Sequence, residues 1–368
     1  MANILDYIAW RGDLDFSEAP FCEVDNLVLS LLSYFDFSGL VPESPQKSVT
    51  LSQAAGQYFR LRPWTKNSLG VLFSDQYREL LEKAAGCRRF GSILPWGQVN
   101  RIDEDLEMQF SATCFSLGSG ETFVAFRGTD DTIVGWKEDF NMTVLFPIPA
   151  QQQAALYLDR TSRETGDRLI LGGHSKGGNL AVYAAAFCSL ALQNRIGRIY
   201  SHDGPGFLPA VLESEGFSRI RSRIDKTLPQ SSVIGMLLEQ QERYQVVQSR
   251  SVSLLQHDPF TWRVKEGAFV PVSRLSSEAR YVDSTLSAWL EKMSVEERER
   301  IVDTLFQIFS TNDITDFEQL VTDWQKNLPA VAKTAIRLDS DSREFLSRAL
   351  KELAVLSVKK APQLFRRR

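Results

Sequence analysis

The feature that most constrains this chain is a serine flanked by glycines at the boundary between two apolar runs. In the segment RLILGGHSKGGNLAVYAAA, Gly173, Ser175 and Gly177 stand between a short β-like run and a long helix-like run. A strand-to-helix turn of the form G-x-S-x-G is so tight that the residues two before and two after the serine must be nearly free of side chains. Such a turn lifts the hydroxyl above the carboxyl edge of a sheet, beside the positive end of a helix dipole. The pattern predicts that Ser175 is a nucleophile.

Two other interpretations of this turn are weaker. A glycine-rich turn can contain a serine by chance, but the strand and helix flanks favour the nucleophile. A phosphate-binding loop requires G-x-x-x-x-G-K-[ST] or G-x-G-x-x-G, and neither pattern fits these residues.

The four cysteines form no C-x-x-C pair, so a zinc site is not expected either. We therefore expect no cofactor and no metal.

The pattern of apolar residues predicts the fold around this turn. Two apolar runs between residues 108 and 126 flank Gly118-Ser119-Gly120, which is typical of an antiparallel hairpin. Helices and strands then alternate, which favours a largely parallel sheet with helices on both faces and an α/β fold of the α/β-hydrolase type. Helices are predicted around 24–35, 150–164, 176–193 and 207–220, and strands over 168–172, 198–202, 244–249 and 251–256.

The length of the chain predicts more than one structural unit. A chain of 368 residues exceeds what one hydrophobic core usually organises. We expect an N-terminal helical and loop segment over residues 1–75, an α/β-hydrolase core over 76–274, and a helical region over 275–368. In the last of these, Ser294 is followed three residues later by Glu297, which is the pattern of a helix-capping box.

A serine nucleophile needs a base, and the chain offers only His174, His202 and His257. His174 is adjacent to Ser175 on a strained turn, where neighbouring side chains point in different directions. His202 ends a predicted strand, and a structural role agrees with that position as well as a catalytic role does. His257 follows the serine and the candidate acids, as the order Ser, Asp or Glu, His of α/β-hydrolases requires. The sequence therefore favours His257 as the base.

Two aspartates between the serine and this histidine are candidates for the acid that orients it. Asp203, in IYSHDGPGF, ends a β-like run and enters a Gly-Pro-Gly turn. Asp225, in RIDKTLP, lies in a charged stretch with a weak strand signal. Position at the end of a strand favours Asp203, although aspartate is also a common turn-forming residue. We predict Asp203 as the acid and keep Asp225 as the alternative.

The chemistry also requires backbone donors for an oxyanion. One comes from the residue after the nucleophile, here Lys176, and the second from a loop that follows an earlier strand. The run ETFVAFRGT ends with Gly128 and Thr129, whose amide could face Ser175 and whose hydroxyl could add a donor. Thr129 and Lys176 are thus the predicted oxyanion hole.

These motifs together resemble those of the class 3 lipases. In that family an F-R-G-[ST] strand end, with a Trp and an Asp downstream, precedes a G-H-S-x-G-G elbow, and here Trp136 and Asp139 occupy the two downstream places. More narrowly, SHDGPGF, PQSSVIGMLLE and QHDPFTW resemble a branch of bacterial lipase-like proteins. The resemblance implies an α/β-hydrolase fold and a Ser-His-Asp triad.

The chain departs from the lipase pattern in two places. Lipases of this class usually have Leu after the nucleophile, so Lys176 is expected to make the mouth of the pocket more polar. They usually place the acid on a later strand, near Asp225, whereas the turn at Asp203 is more similar to that of pancreatic-type lipases. Both acid assignments therefore remain open.

Composition limits the partners and the location that we expect. A formal net charge of -4, with basic and acidic residues mixed along the chain, does not favour nucleic acid. The N-terminus has no basic start followed by an apolar stretch, and no apolar run is long enough to span a bilayer. We expect a cytoplasmic protein with reduced thiols and no membrane span. The oligomeric state is left open.

Two functions from different classes agree with these motifs. The first is a serine hydrolase that cleaves a carboxylic ester or thioester, with a small molecule or a lipid as substrate. The second is a catalytically silent binding or scaffold protein that keeps the hydrolase fold, because a fold does not guarantee chemistry. The presence of all three triad residue types favours the enzyme. The segment 233–239 and the C-terminal helices could form a lid, but ordinary core packing explains their apolar residues equally well.

Overall fold

The structure is a computed structural model that describes residues 2–62, 75–118, 120–130, 133–240, 242–311 and 338–361. Ser119 of the predicted hairpin turn lies outside the described residues. So do parts of the predicted N-terminal and C-terminal segments, at residues 63–74, 312–337 and 362–368.

The described strands build one eight-stranded sheet and a small two-stranded one. In the large sheet the order is β1-β2-β3-β4-β5-β6-β7-β10, and β8 pairs with β9. The pairs from β3 to β7 are parallel, while β1-β2, β2-β3 and β7-β10 are antiparallel. The predicted hairpin and the α/β class are confirmed. The strands are β1 (Leu94–Asp103), β2 (Met108–Gly118), β3 (Glu121–Phe126), β4 (Arg168–His174), β5 (Ile196–His202), β6 (Ile224–Pro229), β7 (Tyr244–Val247), β8 (Val264–Lys265), β9 (Ala268–Phe269) and β10 (Pro271–Val272).

The helices of the described residues precede, connect and follow these strands. Five come before β1, and the last three form the described part of the C-terminal region. In chain order they are α1 (Ile4–Arg11), α2 (Glu23–Leu32), α3 (Leu51–Leu61), α4 (Asp75–Gly86), α5 (Arg88–Gly91), α6 (Ile133–Asn141), α7 (Pro149–Glu164), α8 (Lys176–Phe187), α9 (Leu190–Gln193), α10 (Pro209–Leu212), α11 (Glu215–Ile220), α12 (Ser277–Leu290), α13 (Val295–Thr311) and α14 (Ser340–Lys360).

Each face of the large sheet is covered by a different group of helices. Side chains alternate along a strand, so Val124 and Leu171 point to one face and Phe123 and Ile170 to the other. The first face packs in one apolar cluster with side chains of the connecting helices α7, α8 and α11. The second packs with side chains of the N-terminal helices α1 to α4. Because parallel strands in sequential order are joined by right-handed crossovers, the connecting helices fall on one face and the N-terminal helices fill the other.

Several predicted elements have different boundaries. The helix predicted over 176–193 is two helices, since α8 ends at Phe187 and Ser189 caps α9 by accepting the Leu192 N–H. The helix predicted around 207–220 is likewise divided into α10 and α11, with Ser214 capping the second.

One predicted strand is wrong. Residues 251–256 form no strand; the 3₁₀ helix Ser253–His257 lies there instead. The reason is that β7 already pairs with β6 on one side and with β10 on the other, so a further strand would find no free edge beside it. The charged stretch around Asp225, with its weak strand signal, is β6.

The described part of the C-terminal region is helical, and α13 packs against α6. Ser294 and Glu297 form the predicted capping box, with reciprocal hydrogen bonds of 3.1 and 3.2 Å. At the contact between the helices, the rings of Phe140 and Phe306 lie 5.7 Å apart edge to face. Lys137 Nζ lies 2.9 Å from a carboxylate oxygen of Asp303. Within the described residues, no helix has both the length and the apolar character needed to cross a membrane.

Candidate active site

The turn between β4 and α8 has the geometry of a nucleophile elbow. Ser175 has a φ of +57° and directly precedes α8, and its amide donates to the His202 carbonyl over 2.9 Å. A Cβ on Gly173 would lie 2.6 Å from the Phe126 carbonyl oxygen, and one on Gly177 would collide with the same oxygen. The two glycines are required because β3 passes directly beside the turn. The glycine spacing in G-x-S-x-G therefore has a steric cause, because a side chain at either position would meet the backbone of β3.

The loop after β3 lies directly against the serine. A Cβ built on Gly128 would lie 3.2 Å from Ser175 Cβ and 2.6 Å from the His174 carbonyl oxygen, and it would also collide with the Tyr34 hydroxyl. The strand end F-R-G-T and the elbow are thus in van der Waals contact, as the linked motifs predict.

We expect Gly128→Ala to destabilise the protein by about 1–3 kcal/mol, the usual range for overpacking a well-packed core, because the new methyl group meets backbone at His174. Urea unfolding measures this change. Gly56→Ala is the matched control: Gly56 is exposed within α3 and a Cβ there meets nothing within 4 Å. Alanine in a helix interior should stabilise by roughly 0.5–1 kcal/mol relative to glycine. Unchanged stability of Gly128→Ala would contradict the described packing.

His257 and Asp203 are in direct contact. Nδ1 of His257 lies 2.6 Å from Asp203 Oδ2, and the histidine side chain is 27% exposed while the carboxylate is fully buried. The other carboxylate oxygen accepts the Ser232 hydroxyl over 2.5 Å. Asp203 has a φ of +51°, and its amide donates to Thr227 of β6 over 2.8 Å. Asp203, the residue directly after β5, is therefore held from both sides and directed at the histidine.

The alternative acid lies elsewhere. Asp225 binds Arg198 at 3.0 and 2.7 Å on the surface. It pairs with Tyr200, whereas His202 at the carboxyl end of β5 pairs with Thr227. Two residues of extended strand, about 7 Å at 3.3 Å per residue, thus separate Asp225 from the edge where Asp203 lies. The geometry favours Asp203.

The other two histidines are buried and neutral. His174 Nε2 lies 2.9 Å from the His257 carbonyl oxygen, and burial together with the nearby His257 holds the pKa of His174 well below its usual value. His202 Nε2 lies 2.9 Å from Asn26 Oδ1, and burial lowers the pKa of His202 to about 3. Neither ring contacts Asp203 by a hydrogen bond in the described structure.

His257, the predicted base, lies next to the elbow but is not hydrogen-bonded to Ser175. The rings of His174 and His257 are 4.6 Å apart, so His257 neighbours the residue that precedes Ser175. Among the described residues no hydrogen bond joins His257 to Ser175. Catalytic hydrogen bonds are often long without substrate and shorten when it binds. The structure brings His257 and Asp203 into contact next to the turn that contains Ser175.

The two predicted oxyanion residues belong to segments next to the serine: Lys176 follows Ser175 directly, and Thr129 follows Gly128, which packs against Ser175. Lys176 is the first residue of α8, where a backbone N–H has no partner within the helix. The Thr129 hydroxyl is 2.5 Å from Asp139 Oδ2. Burial raises the pKa of Asp139 to about 6, although Lys176 and this hydrogen bond act in the opposite direction. Because a carboxylate only accepts, the Thr129 hydroxyl proton is directed to Asp139 when Asp139 is ionised, so of the two predicted donors of Thr129 only the amide is available.

The expectation for the Lys176 side chain is wrong. It does not line a pocket mouth; it is fully buried beneath the elbow, with Nζ 2.8 Å from Glu138 Oε2 and 2.7 Å from Gln109 Oε1. Adjacent residues on the turn and helix start point in different directions, so the residue after Ser175 points inward. A lysine can be buried there because carboxylate and amide oxygens satisfy its three donors.

Three side chains of this region have no place in the sequence-based assignment. The Ser232 hydroxyl donates to Asp203, the Tyr34 hydroxyl packs closely against Gly128, and Glu138 binds Lys176. Ser232 lies in PQSSVIGMLLE and Glu138 is adjacent to Asp139, so both were within segments that the motifs marked. Tyr34 has no such signal, because its contact depends on how α2 packs across the sheet.

A comparison with family models matches residues 85–307 to the family described as Mbeg1-like. This match covers more than half of the chain. The chain belongs to the Mbeg1-like family. A search of curated proteins gives no match. The narrower resemblance to a bacterial branch stays a prediction.

Solved structures that are similar to this Mbeg1-like protein include lipases, each at low sequence identity. The Rhizomucor miehei lipase propeptide complex is 15% identical over 42% of this chain, with a TM-score of 0.31, and the match spans only 57% of that lipase. M37 lipase is 13% identical over 57% of this chain and 68% of its own, with a TM-score of 0.35. The lipase from Rhizopus microsporus var. chinensis is 13% identical over 60% of this chain and 73% of its own, with a TM-score of 0.31.

Proposed function

We propose that this Mbeg1-like protein is a serine hydrolase that cleaves a carboxylic ester or thioester through an acyl-enzyme. The observation on which this proposal mainly rests is the 2.6 Å contact between His257 Nδ1 and the buried Asp203, next to the strained elbow of Ser175. A buried carboxylate that accepts from Nδ1 leaves Nε2 of the same ring unprotonated and able to accept a proton.

In the proposed reaction Ser175 Oγ attacks the carbonyl carbon of the substrate while His257 Nε2 takes the hydroxyl proton. The C–O or C–S bond then breaks, and the imidazolium gives that proton to the leaving alcohol or thiol. Water repeats the sequence on the acyl-enzyme and releases the acid. Asp203 keeps the tautomer of His257 and stabilises its charged form.

The amides of Thr129 and Lys176 are the proposed oxyanion donors. In the described structure no acceptor binds the Thr129 amide, and the Lys176 amide is the first of α8. Two N–H groups that point at the same carbonyl oxygen would stabilise the charge that develops on it. The dipole of α8 acts in the same direction.

The test is hydrolysis of a series of p-nitrophenyl esters from acetate to palmitate by the purified protein, with Ser175→Ala measured in parallel. We expect turnover that the variant lacks, and the dependence on acyl length reports the substrate class. Equal rates for the two proteins would contradict the proposal. The scaffold alternative predicts no turnover at any chain length, with the fold intact.

A further inference from the structure

A buried cluster beneath the elbow connects the nucleophile turn to α6. The ammonium group of Lys176 donates to the Gln109 carbonyl at 2.9 Å, to Gln109 Oε1 at 2.7 Å and to Glu138 Oε2 at 2.8 Å. The side chains of Lys176 and Glu138 are both completely buried. Lys176 has no donor left over, so it is a structural cation of the interior and not a group that meets substrate.

Glu138 joins four elements at this point. Besides Lys176, its Oε2 accepts the Gln109 N–H of β2 at 3.1 Å, and its Oε1 accepts the Ala150 N–H in the first turn of α7 at 2.8 Å. Glu138 itself belongs to α6. One carboxylate thus fixes α6 relative to the starts of α7 and α8 and to β2.

Asp139, the next residue of α6, holds the oxyanion loop, by which we mean residues 127–130 with the proposed donor Thr129. Asp139 binds the Thr129 hydroxyl at 2.5 Å, and its Oδ1 lies 4.0 Å from Lys176 Nζ. This Oδ1 is buried and has no hydrogen-bond partner in the described structure. The position of the Thr129 side chain therefore depends on where α6 lies, and the ion pair of Lys176 with Glu138 is one of the contacts that hold α6 and joins it directly to the first residue of α8.

The chemistry of this pair suggests a positional role. Two charges removed from water are costly, and an apolar pair of similar volume often stabilises a protein at least as well. What an apolar pair does not provide is hydrogen bonds to defined partners, and here the ammonium group donates to three oxygen atoms of Gln109 and Glu138.

We propose that Lys176 and Glu138 are positioning residues that fix the oxyanion loop at Thr129 beside the nucleophile. The inference rests on the proposed function for its catalytic consequence, but the position of the loop can be tested without activity. The closest variant in shape is the double substitution Lys176→Met with Glu138→Gln, which removes both charges of the pair together.

The first measurement is hydrogen exchange, followed by mass spectrometry, of peptides that cover residues 127–130. We expect faster exchange there in the double variant, with little change in β5. The control is Arg89→Met with Asp25→Asn, which removes another buried ion pair, of 2.5 Å, between the N-terminal helices. It should lower the melting temperature without altering exchange at residues 127–130. Unchanged exchange at residues 127–130 in the double variant would overturn the proposal, whether or not the wild type hydrolyses esters.

The second measurement separates kcat from KM on a soluble ester. Loss of one oxyanion donor typically lowers kcat by roughly 10² to 10³-fold, and we expect a kcat loss at the lower end of that range with KM changed only about threefold. A folded double variant with wild-type kcat would contradict the proposal. If the double variant does not fold, the near-isosteric Glu138→Gln replaces it in both measurements with the same criteria. An inactive wild type contradicts the proposed function alone and leaves the exchange result to decide this inference.

Discussion

Ser175→Ala is expected to reduce ester hydrolysis by roughly 10⁶-fold, the loss seen when a triad nucleophile is removed, while the melting temperature changes little. The hydroxyl is the attacking group in the proposed mechanism, but the backbone at φ +57° is set by the space that Gly173 and Gly177 leave open. Alanine keeps the same Cβ, so the turn should form as before. Steady-state turnover of a p-nitrophenyl ester and thermal melting measure the two quantities.

Ser162→Ala is the control for this variant. Ser162 is a partly buried serine of α7 whose hydroxyl donates to the Asp159 carbonyl at 2.7 Å, away from the elbow. It should keep full turnover. Retained hydrolysis in a folded Ser175→Ala protein would show that another group is the nucleophile.

Asp203→Asn is expected to lower kcat by about 10⁴-fold, the loss measured for the equivalent change in a serine protease. The amide of the variant directs an N–H at His257 Nδ1 and can offer its oxygen only after rotating. The ring of His257 therefore adopts the tautomer in which Nε2 is protonated, and in that tautomer Nε2 cannot act as a base. The Ser232 hydroxyl can still donate to the amide oxygen. The fold should therefore survive better than the activity, and kcat with thermal melting tests both.

Asp225→Asn is the matched control for the acid. The same substitution at Asp225 removes a surface ion pair with Arg198, both side chains being more than one-third exposed. Surface pairs contribute typically 0–1 kcal/mol, so kcat should be nearly unchanged and the melting temperature little affected. Loss of activity in a folded Asp225→Asn protein would place the acid on β6 and contradict the assignment of Asp203.

The elbow was predictable because local chemistry determines it, and the contact of His257 with Asp203 was predictable because the chain offers few candidates. Gly173 and Gly177 are demanded by a turn whose steric limits depend on a few neighbouring residues. The order of Ser175, Asp203 and His257 along the chain, with only three histidines to choose from, was enough to select the pair that the structure brings to 2.6 Å.

Features that depend on tertiary packing were not predictable from the pattern. The residues 251–256 have an alternating strand-like composition, yet β7 already has a neighbour on each side, so they form a 3₁₀ helix. The direction of Lys176 was missed because its partners, Gln109 and Glu138, are distant in sequence. A lysine after the nucleophile looks like a surface residue until the two acceptors that surround it are known.

The division of the chain was predictable only in outline. A helical region after residue 275 follows from the amphipathic pattern and from the capping box of Ser294 and Glu297. That α13 packs on α6, the helix that contains Glu138 and Asp139, has no local signal, because it depends on the meeting of Phe140 with Phe306. The boundaries at residues 75 and 274 remain a proposal.

The most direct test of the central claim is covalent labelling of the purified protein with a fluorophosphonate, followed by peptide mapping. Such a probe reacts with a serine whose hydroxyl is activated by a base. We predict a single adduct on Ser175, absent in Ser175→Ala and formed far more slowly in His257→Ala. A wild-type protein that stays unlabelled, or that is labelled at a serine other than Ser175, would contradict the assignment of Ser175 as an activated nucleophile.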